Sequence, residues 1–250
     1  MNVRYLSVTL FFALPLAGCV EDEVYVPDIR EKGYLEYEIA GLPELSGLCY
    51  NRDRSAFLAV SDHGGIYEVG FNGALLRQFP YPEGNDFEGI TMNRLTGEVY
   101  VVDETRMTVF KLAAAGDAAT EVVKITVEGA QSNRGLEGIA HGRDTLYIVN
   151  QGSPTRLFKY CLTSETLTWL DIAGATYLSD ICYDETDDTL WIVDSKQCEI
   201  THRDRQGQAI GEPWSIPYVA QAEGLVVDRE KGFFWVGCDT TSKLYKILIE

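Results

Sequence analysis

Asp86-Phe87-Glu88-Gly89-Ile90-Thr91-Met92-Asn93-Arg94-Leu95-Thr96-Gly97-Glu98-Val99-Tyr100-Val101-Val102-Asp103-Glu104 decides the reading of this chain. A short apolar run carrying an acidic residue and a glycine leads to a turn former, Asn93. A β-rich run, Val99-Tyr100-Val101-Val102, follows and ends in the polar pair Asp103-Glu104. Two such runs joined by turn chemistry read as an antiparallel hairpin.

The same grammar recurs along the chain. Leu45-Ser46-Gly47-Leu48, Leu136-Glu137-Gly138-Ile139, Leu178-Ser179-Asp180-Ile181 and Ala222-Glu223-Gly224-Leu225 are the counterparts of Phe87-Glu88-Gly89-Ile90. Anchored on Ser46, Glu88, Glu137, Ser179 and Glu223, the repeats are 42 to 49 residues apart. Five residues after each anchor stands a turn former: Asn51, Asn93, Gly142, Asp184 or Asp228. A second run follows in every unit, around Leu58, Tyr100, Tyr147, Trp191 and Trp235, and then a polar loop: Ser61-Asp62, Asp103-Glu104, Asn150-Gln151, Asp194-Ser195 or Cys238-Asp239. Alternating third strands come next, as in Ile66-Tyr67-Glu68-Val69 and Lys243-Leu244-Tyr245-Lys246.

Fourth strands are expected near Leu75–Phe79, Val122–Val127, Leu167–Ile172 and Trp214–Tyr218. The fifth unit has none before the chain stops at Glu250. One strand candidate is left over, Tyr34-Leu35-Glu36-Tyr37-Glu38-Ile39, ahead of the first repeat. It completes the last unit and closes a ring. Repeats of forty-odd residues with four strands each mark a propeller. The fold class is therefore all-β: a five-bladed β-propeller of four-stranded antiparallel blades over residues 33–250, closed by the N-terminal strand. No stretch shows sustained helical periodicity.

Of 250 residues, 46% are hydrophobic and 24% charged. That is globular composition, with enough chain to bury a core without metal or disulfides. The net charge of −17 leaves no basic footprint for phosphates, so a nucleic-acid partner is not expected. A cation, a metal or a basic surface suits the charge better; solubility alone is the other explanation.

Residues 1–18 read as a signal peptide: Arg4, then an apolar run from Val8 to Leu16 too short to span a bilayer. It ends in Leu16-Ala17-Gly18-Cys19, which resembles the bacterial lipobox. That resemblance implies that Cys19 becomes an acylated mature N-terminus holding the protein to a membrane through more than one acyl chain. Val20, rather than Asp, favours the outer membrane. Glu21-Asp22-Glu23 resembles an acidic surface-export signal and equally suits a solvated tether, leaving periplasmic and surface orientations open. Residues 19–32 read as an acidic linker. The other five cysteines, Cys49, Cys161, Cys182, Cys198 and Cys238, are odd in number and match no zinc spacing.

The sequence resembles the SdiA-regulated (YjiK-like) β-propeller lipoproteins of bacteria over about residues 40–250. The likeness rests on Asp86-Phe87-Glu88-Gly89-Ile90 leading to Asp103-Glu104-Thr105-Arg106, on Gly135-Leu136-Glu137-Gly138-Ile139, and on Gln221-Ala222-Glu223-Gly224-Leu225 before Asp228. It implies an envelope propeller, often lipid-anchored, with no defined molecular function. This chain departs from its relatives at Asn150-Gln151, where an acidic residue is common, and at Cys238-Asp239, where Ser-Glu is usual.

Innermost propeller strands line the central channel, so Ser46, Glu88, Glu137, Ser179 and Glu223 are expected around one mouth. Glu88, Glu137 and Glu223 are the candidate metal ligands. Unpaired carboxylates in a narrow channel repel one another, and Ca²⁺ takes several oxygens with loose geometry. Hydrogen bonds, or pairing with Arg106 or Arg134, would relieve the same repulsion. Asp62, Asp103, Glu104, Asp194 and Asp239, with Ser46 and Ser179, are the candidate binding residues of the mouth. No nucleophile elbow, phosphate loop or cofactor fingerprint is present. Three functions stay open: a binding or scaffold module for a small molecule or envelope protein, a Ca-dependent hydrolase of esters, lactones or phosphoesters, and a purely structural lipoprotein.

Overall fold

The computed structural model describes residues 29–81, 85–113, 118–128 and 134–249. The signal peptide, the lipobox Cys19 and most of the acidic linker lie outside them. Five four-stranded antiparallel sheets form the blades of a propeller. Blade 1 comprises β2 (Leu45–Tyr50), β3 (Phe57–Ser61), β4 (Ile66–Val69) and β5 (Leu75–Phe79). Blade 2 comprises β6 (Phe87–Met92), β7 (Val99–Asp103), β8 (Thr108–Leu112) and β9 (Ala119–Lys124). Blade 3 runs β10 (Leu136–Gly142), β11 (Thr145–Asn150), β12 (Arg156–Cys161) and β13 (Thr166–Asp171). Blade 4 runs β14 (Leu178–Asp184), β15 (Thr189–Asp194), β16 (Glu199–Arg203) and β17 (Trp214–Ser215). Blade 5 takes β18 (Ala222–Asp228), β19 (Phe233–Cys238) and β20 (Lys243–Leu248) from the end of the chain and β1 (Tyr34–Glu38) from its beginning.

The closure expected from the spare N-terminal strand is present. Tyr34 pairs with Ile247 and Glu38 with Lys243, so β1 covers the edge that β20 would otherwise leave open. The inner strands β2, β6, β10, β14 and β18 pack side by side and return to β2. Just before β1, the last four residues of the expected linker form one helical turn, α1 (Ile29–Lys32). None of the helices among the described residues is long and apolar enough to cross a membrane.

The core lies between blades. Tyr100, Tyr147, Trp191 and Trp235, at one position of successive second strands, are all buried. Trp235 of blade 5 meets Phe57 of blade 1 at 5.3 Å between ring centroids, and each buried ring contributes on the order of 2–3 kcal/mol. Cys49, Cys161, Cys182, Cys198 and Cys238 are all free thiols.

Every blade has a register shift at the same place. The ladder jumps between Leu45 and Gly47, Phe87 and Gly89, Leu136 and Ile139, Leu178 and Asp180, and Ala222 and Gly224. The repeat anchors are thus bulge residues, and a bulge re-aims its side chain out of the ladder. The glycine after the anchor lets neighbouring inner strands touch: a Cβ on Gly89 would lie 2.5 Å from Glu137 O. Blade 4 has Asp180 there instead. Its Oδ2 accepts from Leu225 N at 2.6 Å and its Oδ1 from Ile181 N at 2.8 Å, so this buried carboxylate ties blade 4 to blade 5 near the axis.

Candidate functional site

Three bulges carry glutamate, and the channel brings them together. Ligand oxygens of Glu88, Glu137 and Glu223 all lie within 4.8 Å of one another. The three residues are 9%, 3% and 8% exposed. Gln221 Nε2 donates to Glu223 Oε1 at 3.0 Å; among the described residues no protein donor reaches the carboxylate of Glu88 or Glu137. The two arginines that could have neutralised the mouth are engaged elsewhere. Arg106 donates to Asp103 and to Asn85 Oδ1. Arg134 reaches Ser153 Oγ at 3.4 Å and lies over the Tyr177 ring.

Electrostatics follow from that geometry. Burial, then the charges of Glu223, Asp86, Glu104 and Asp62, push the Glu88 carboxyl up to about 9. Burial raises Glu137 well above the carboxylate range, with Glu88 and Glu223 adding to it. Glu223 rises to about 7 through burial, partly offset by its Gln221 hydrogen bond. A carboxylate that loses water and gains no donor favours its protonated form unless a cation replaces the proton.

Ser46 and Ser179 occupy the two remaining anchor positions, and both hydroxyls donate to backbone: Ser46 to Glu44 O at 3.2 Å, Ser179 to Ala222 O at 2.5 Å. A second tier is set by a hydrogen bond repeated five times. The N–H groups of Asp62, Glu104, Gln151, Ser195 and Asp239 donate to the carbonyls of Glu44, Asp86, Gly135, Tyr177 and Gln221, each two residues before an anchor. Asp62, Glu104 and Asp239 therefore stand by the ring, and their charges act on it. Burial, with Glu44 alongside, pushes Asp62 up to about 6. Oδ1 of Asp62 and of Asp239 are buried without a hydrogen-bond partner.

Asp103 and Asp194 are placed differently. Asp103 Oδ1 accepts from Arg106 N at 2.8 Å and its Oδ2 from Arg106 Nη1. Asp194 accepts from Thr176 N at 2.6 Å and from Gln197 N at 3.1 Å. Both carboxylates cap the loops between second and third strands, so neither is free to act as a ligand of the mouth.

The sequence matches the SdiA-regulated family over residues 26–237. The chain belongs to that family. The match spans all five repeat anchors of this SdiA-regulated chain and every second-tier residue but Asp239. No curated protein matches the sequence. Among solved structures, a glutaminyl cyclase of Myxococcus xanthus superposes with a TM-score of 0.67 at 12% identity, covering 86% of this chain and 96% of that one. Virginiamycin B lyase of Staphylococcus aureus gives 0.53 at 16% identity, with 82% and 66% covered. An auxiliary nutrient binding protein of Bacteroides thetaiotaomicron gives 0.56 at 14%, with 83% and 59% covered. The chain thus spans less than two thirds of the lyase and of the nutrient binding protein. At these identities the likeness is one of fold.

Residues beyond the sequence candidates also belong to the mouth. Asp86 and Glu104 join Glu88 in a second group of ligand atoms within 4.8 Å, and Glu44, Asp62 and His63 form a third. His63 Nε2 lies 3.0 Å from Glu44 Oε2 and its Nδ1 3.5 Å from Asp62 Oδ1. Glu44, Asp86 and Gln221 share one repeat position, two before the anchor, which is the signal that could have found them.

The far end of the channel is different. There Arg94 Nη1 contacts Glu185 at 3.1 Å, with Arg54 at 3.9 Å. Cys49 and Cys182 face the same opening; burial raises both thiols, Cys182 to about 12, which keeps them protonated.

Proposed function

We propose that this protein is a lipid-anchored envelope propeller whose acidic mouth holds a divalent cation, with calcium the best fit, and presents it to a ligand. The observation that carries the reading is the convergence of three buried glutamates, two of them without a protein donor among the described residues. All-oxygen donors at these separations suit a hard cation: two oxygens on opposite sides of a Ca²⁺ are about 4.8 Å apart. The cation is the counter-charge that the fold itself does not supply to Glu88 and Glu137.

Strand register supports an orientation. Tyr34, where the chain enters β1, pairs with Ile247, which pairs with Phe234, which pairs with Val227. That is the far end of β18 from Glu223. A tether running from an acylated Cys19 therefore meets the propeller on the face opposite the mouth, and the carboxylates point away from the bilayer. Outer-membrane anchoring agrees with Val20 after the lipobox.

A second reading, a calcium-dependent hydrolase, has one observation in its favour: the imidazole of His63 is held between two carboxylates at the rim of the same mouth. A base beside a metal-bound water is what such chemistry requires. The binding role needs only the cation and a shaped rim, and it is preferred.

The test is a thermal melt of the purified protein in metal-stripped buffer and in millimolar Ca²⁺. Occupancy at a hundredfold excess over the dissociation constant stabilises by about 2.7 kcal/mol, or roughly 5–10 °C for a chain of this size. The Glu88→Gln, Glu137→Gln, Glu223→Gln triple variant should lose that increment while staying folded. An identical melt with and without calcium in the unmodified protein would reject the reading.

A further inference from the structure

We infer that the mouth holds two divalent cations, not one, with Glu88 as the carboxylate they share. This rests on the cation-binding reading above and extends it to a second position, built by Asp86, Glu88 and Glu104.

Glu88 belongs to two groups. With Glu137 and Glu223 it makes the axial set; with Asp86 and Glu104 it makes a lateral set against blade 2, and in each set the ligand atoms are mutually within 4.8 Å. The lateral residues are pre-positioned by the fold. Thr105 Oγ1 donates to Asp86 Oδ2 at 2.6 Å, and Gly135 N donates to Glu104 Oε1 at 2.8 Å. Each bond fixes one carboxylate oxygen and leaves the other.

Glu88 itself points to a ligand independently of the cluster's charge. It is nine-tenths buried, has no donor among the described residues, and its carboxylate supplies a ligand atom to both sets. A carboxylate has two oxygens and about four lone-pair sites, enough to serve an ion on either side. A neighbouring side chain tells the same story. Gln151 is 8% exposed and its Oε1 is buried without a partner. Its N–H donates to Gly135 O, and Gly135 is the residue whose N–H holds Glu104. Gln151 holds in blade 3 the repeat position that Glu104 holds in blade 2, and its unpartnered oxygen is a neutral amide oxygen, a donor type that hard cations accept.

Charge balance favours two ions over one. Five carboxylates, Asp86, Glu88, Glu104, Glu137 and Glu223, meet here. With all five ionised, one dication leaves three negative charges uncompensated; two leave one. A carboxylate-bridged pair of hard ions is suited to an oxyanion, a phosphate or carboxylate group, laid across both.

The experiment is a calorimetric titration of the purified full chain, stripped of metal, with calcium chloride. Near-ultraviolet circular dichroism checks that each variant is folded. The expected stoichiometry is two ions per chain. Asp86→Asn with Glu104→Gln should reduce it to one, and so should Glu137→Gln with Glu223→Gln. Glu88→Gln should weaken both ions at least tenfold. A stoichiometry of one that is unchanged in the Asp86→Asn, Glu104→Gln variant overturns the second position and leaves the axial ion standing. A single ion lost in that variant also overturns the pair. No heat of binding in the unmodified protein overturns both this inference and the reading it rests on.

Discussion

In metal-free protein, the axial glutamates should make stability fall as pH rises from 5 to 8. Glu88 and Glu223 titrate near 9 and 7 in the folded protein and Glu137 well above its ordinary range, against about 4.3 in the unfolded chain. Between those values the folded state holds protons that the unfolded state has released. The stability contributed by a raised carboxyl is therefore fully present below about pH 4, and is lost until the folded value is passed. Each retained proton costs about 1.4 kcal/mol per pH unit, or about 2.7 kcal/mol between pH 5 and 7. Glu88 alone accounts for a loss of about 3 kcal/mol over that span, a sizeable part of a typical folding free energy, and Glu137 is shifted in the same direction and adds to it. The Glu88 share corresponds to a fall in melting temperature of roughly 5–10 °C. Asp62, Asp239 and Glu104 are shifted in the same direction and add to the slope. Differential scanning calorimetry in metal-stripped buffers at pH 5, 6, 7 and 8 reads the effect directly. The triple glutamine variant should show a much shallower slope, and saturating calcium should remove the slope from the unmodified protein by replacing the protons. A melting temperature that is flat, or that rises, over this range in metal-free unmodified protein would refute the argument that these carboxylates are uncompensated.

Other consequences follow from the fold and from the proposed lipid anchor. Gly89→Ala places a Cβ 2.5 Å from Glu137 O and 2.9 Å from Ile139 N; both are backbone atoms, so the overpacking should cost on the order of 1–3 kcal/mol in a denaturant melt, and an unchanged midpoint would contradict the contact between inner strands. Deleting residues 33–40 removes β1 and bares the β20 edge, so the melting temperature should drop sharply; a truncated protein melting within a few degrees of the intact one would show that β1 does not secure the ring. Cys19→Ala should move the protein from the membrane fraction to a soluble or uncleaved form, and unchanged membrane association with a cleaved signal would count against lipid anchoring.

The propeller was legible because each blade repeats the same short grammar, and because one surplus strand at the start matched one missing at the end. Strand limits were less legible. In blade 2 the outer strand runs from Ala119 to Lys124, not Val122 to Val127; Ile125 N still bonds Met107 O one step past the Thr108–Lys124 pair, but Met107 has a positive φ of 51° and the partner strand ends there. In blade 4 the outer strand shrinks to Trp214–Ser215, because Pro217 has no N–H to offer the ladder. The carboxylate ring was legible at Glu88, Glu137 and Glu223, since the bulge falls at the same repeat position each time. One residue decided the fate of the other acids. Asp103 and Asp194 close their second strands and turn back to cap loops, whereas Glu104, Asp62 and Asp239 sit one position on and stand at the mouth. A period of two makes that single step a change of side, and composition alone does not reveal it. Asp180, read as one more member of the repeat, occupies a glycine position and fills the axis instead.

The most direct test of the central claim is a crystal structure of the mature protein, purified without chelator and grown in calcium. The account predicts anomalous density at the channel mouth, with oxygens of Glu88, Glu137 and Glu223 at about 2.3–2.6 Å from it. A mouth holding only water, or one in which Arg106 or Arg134 has swung in to pair with the three glutamates, would contradict it.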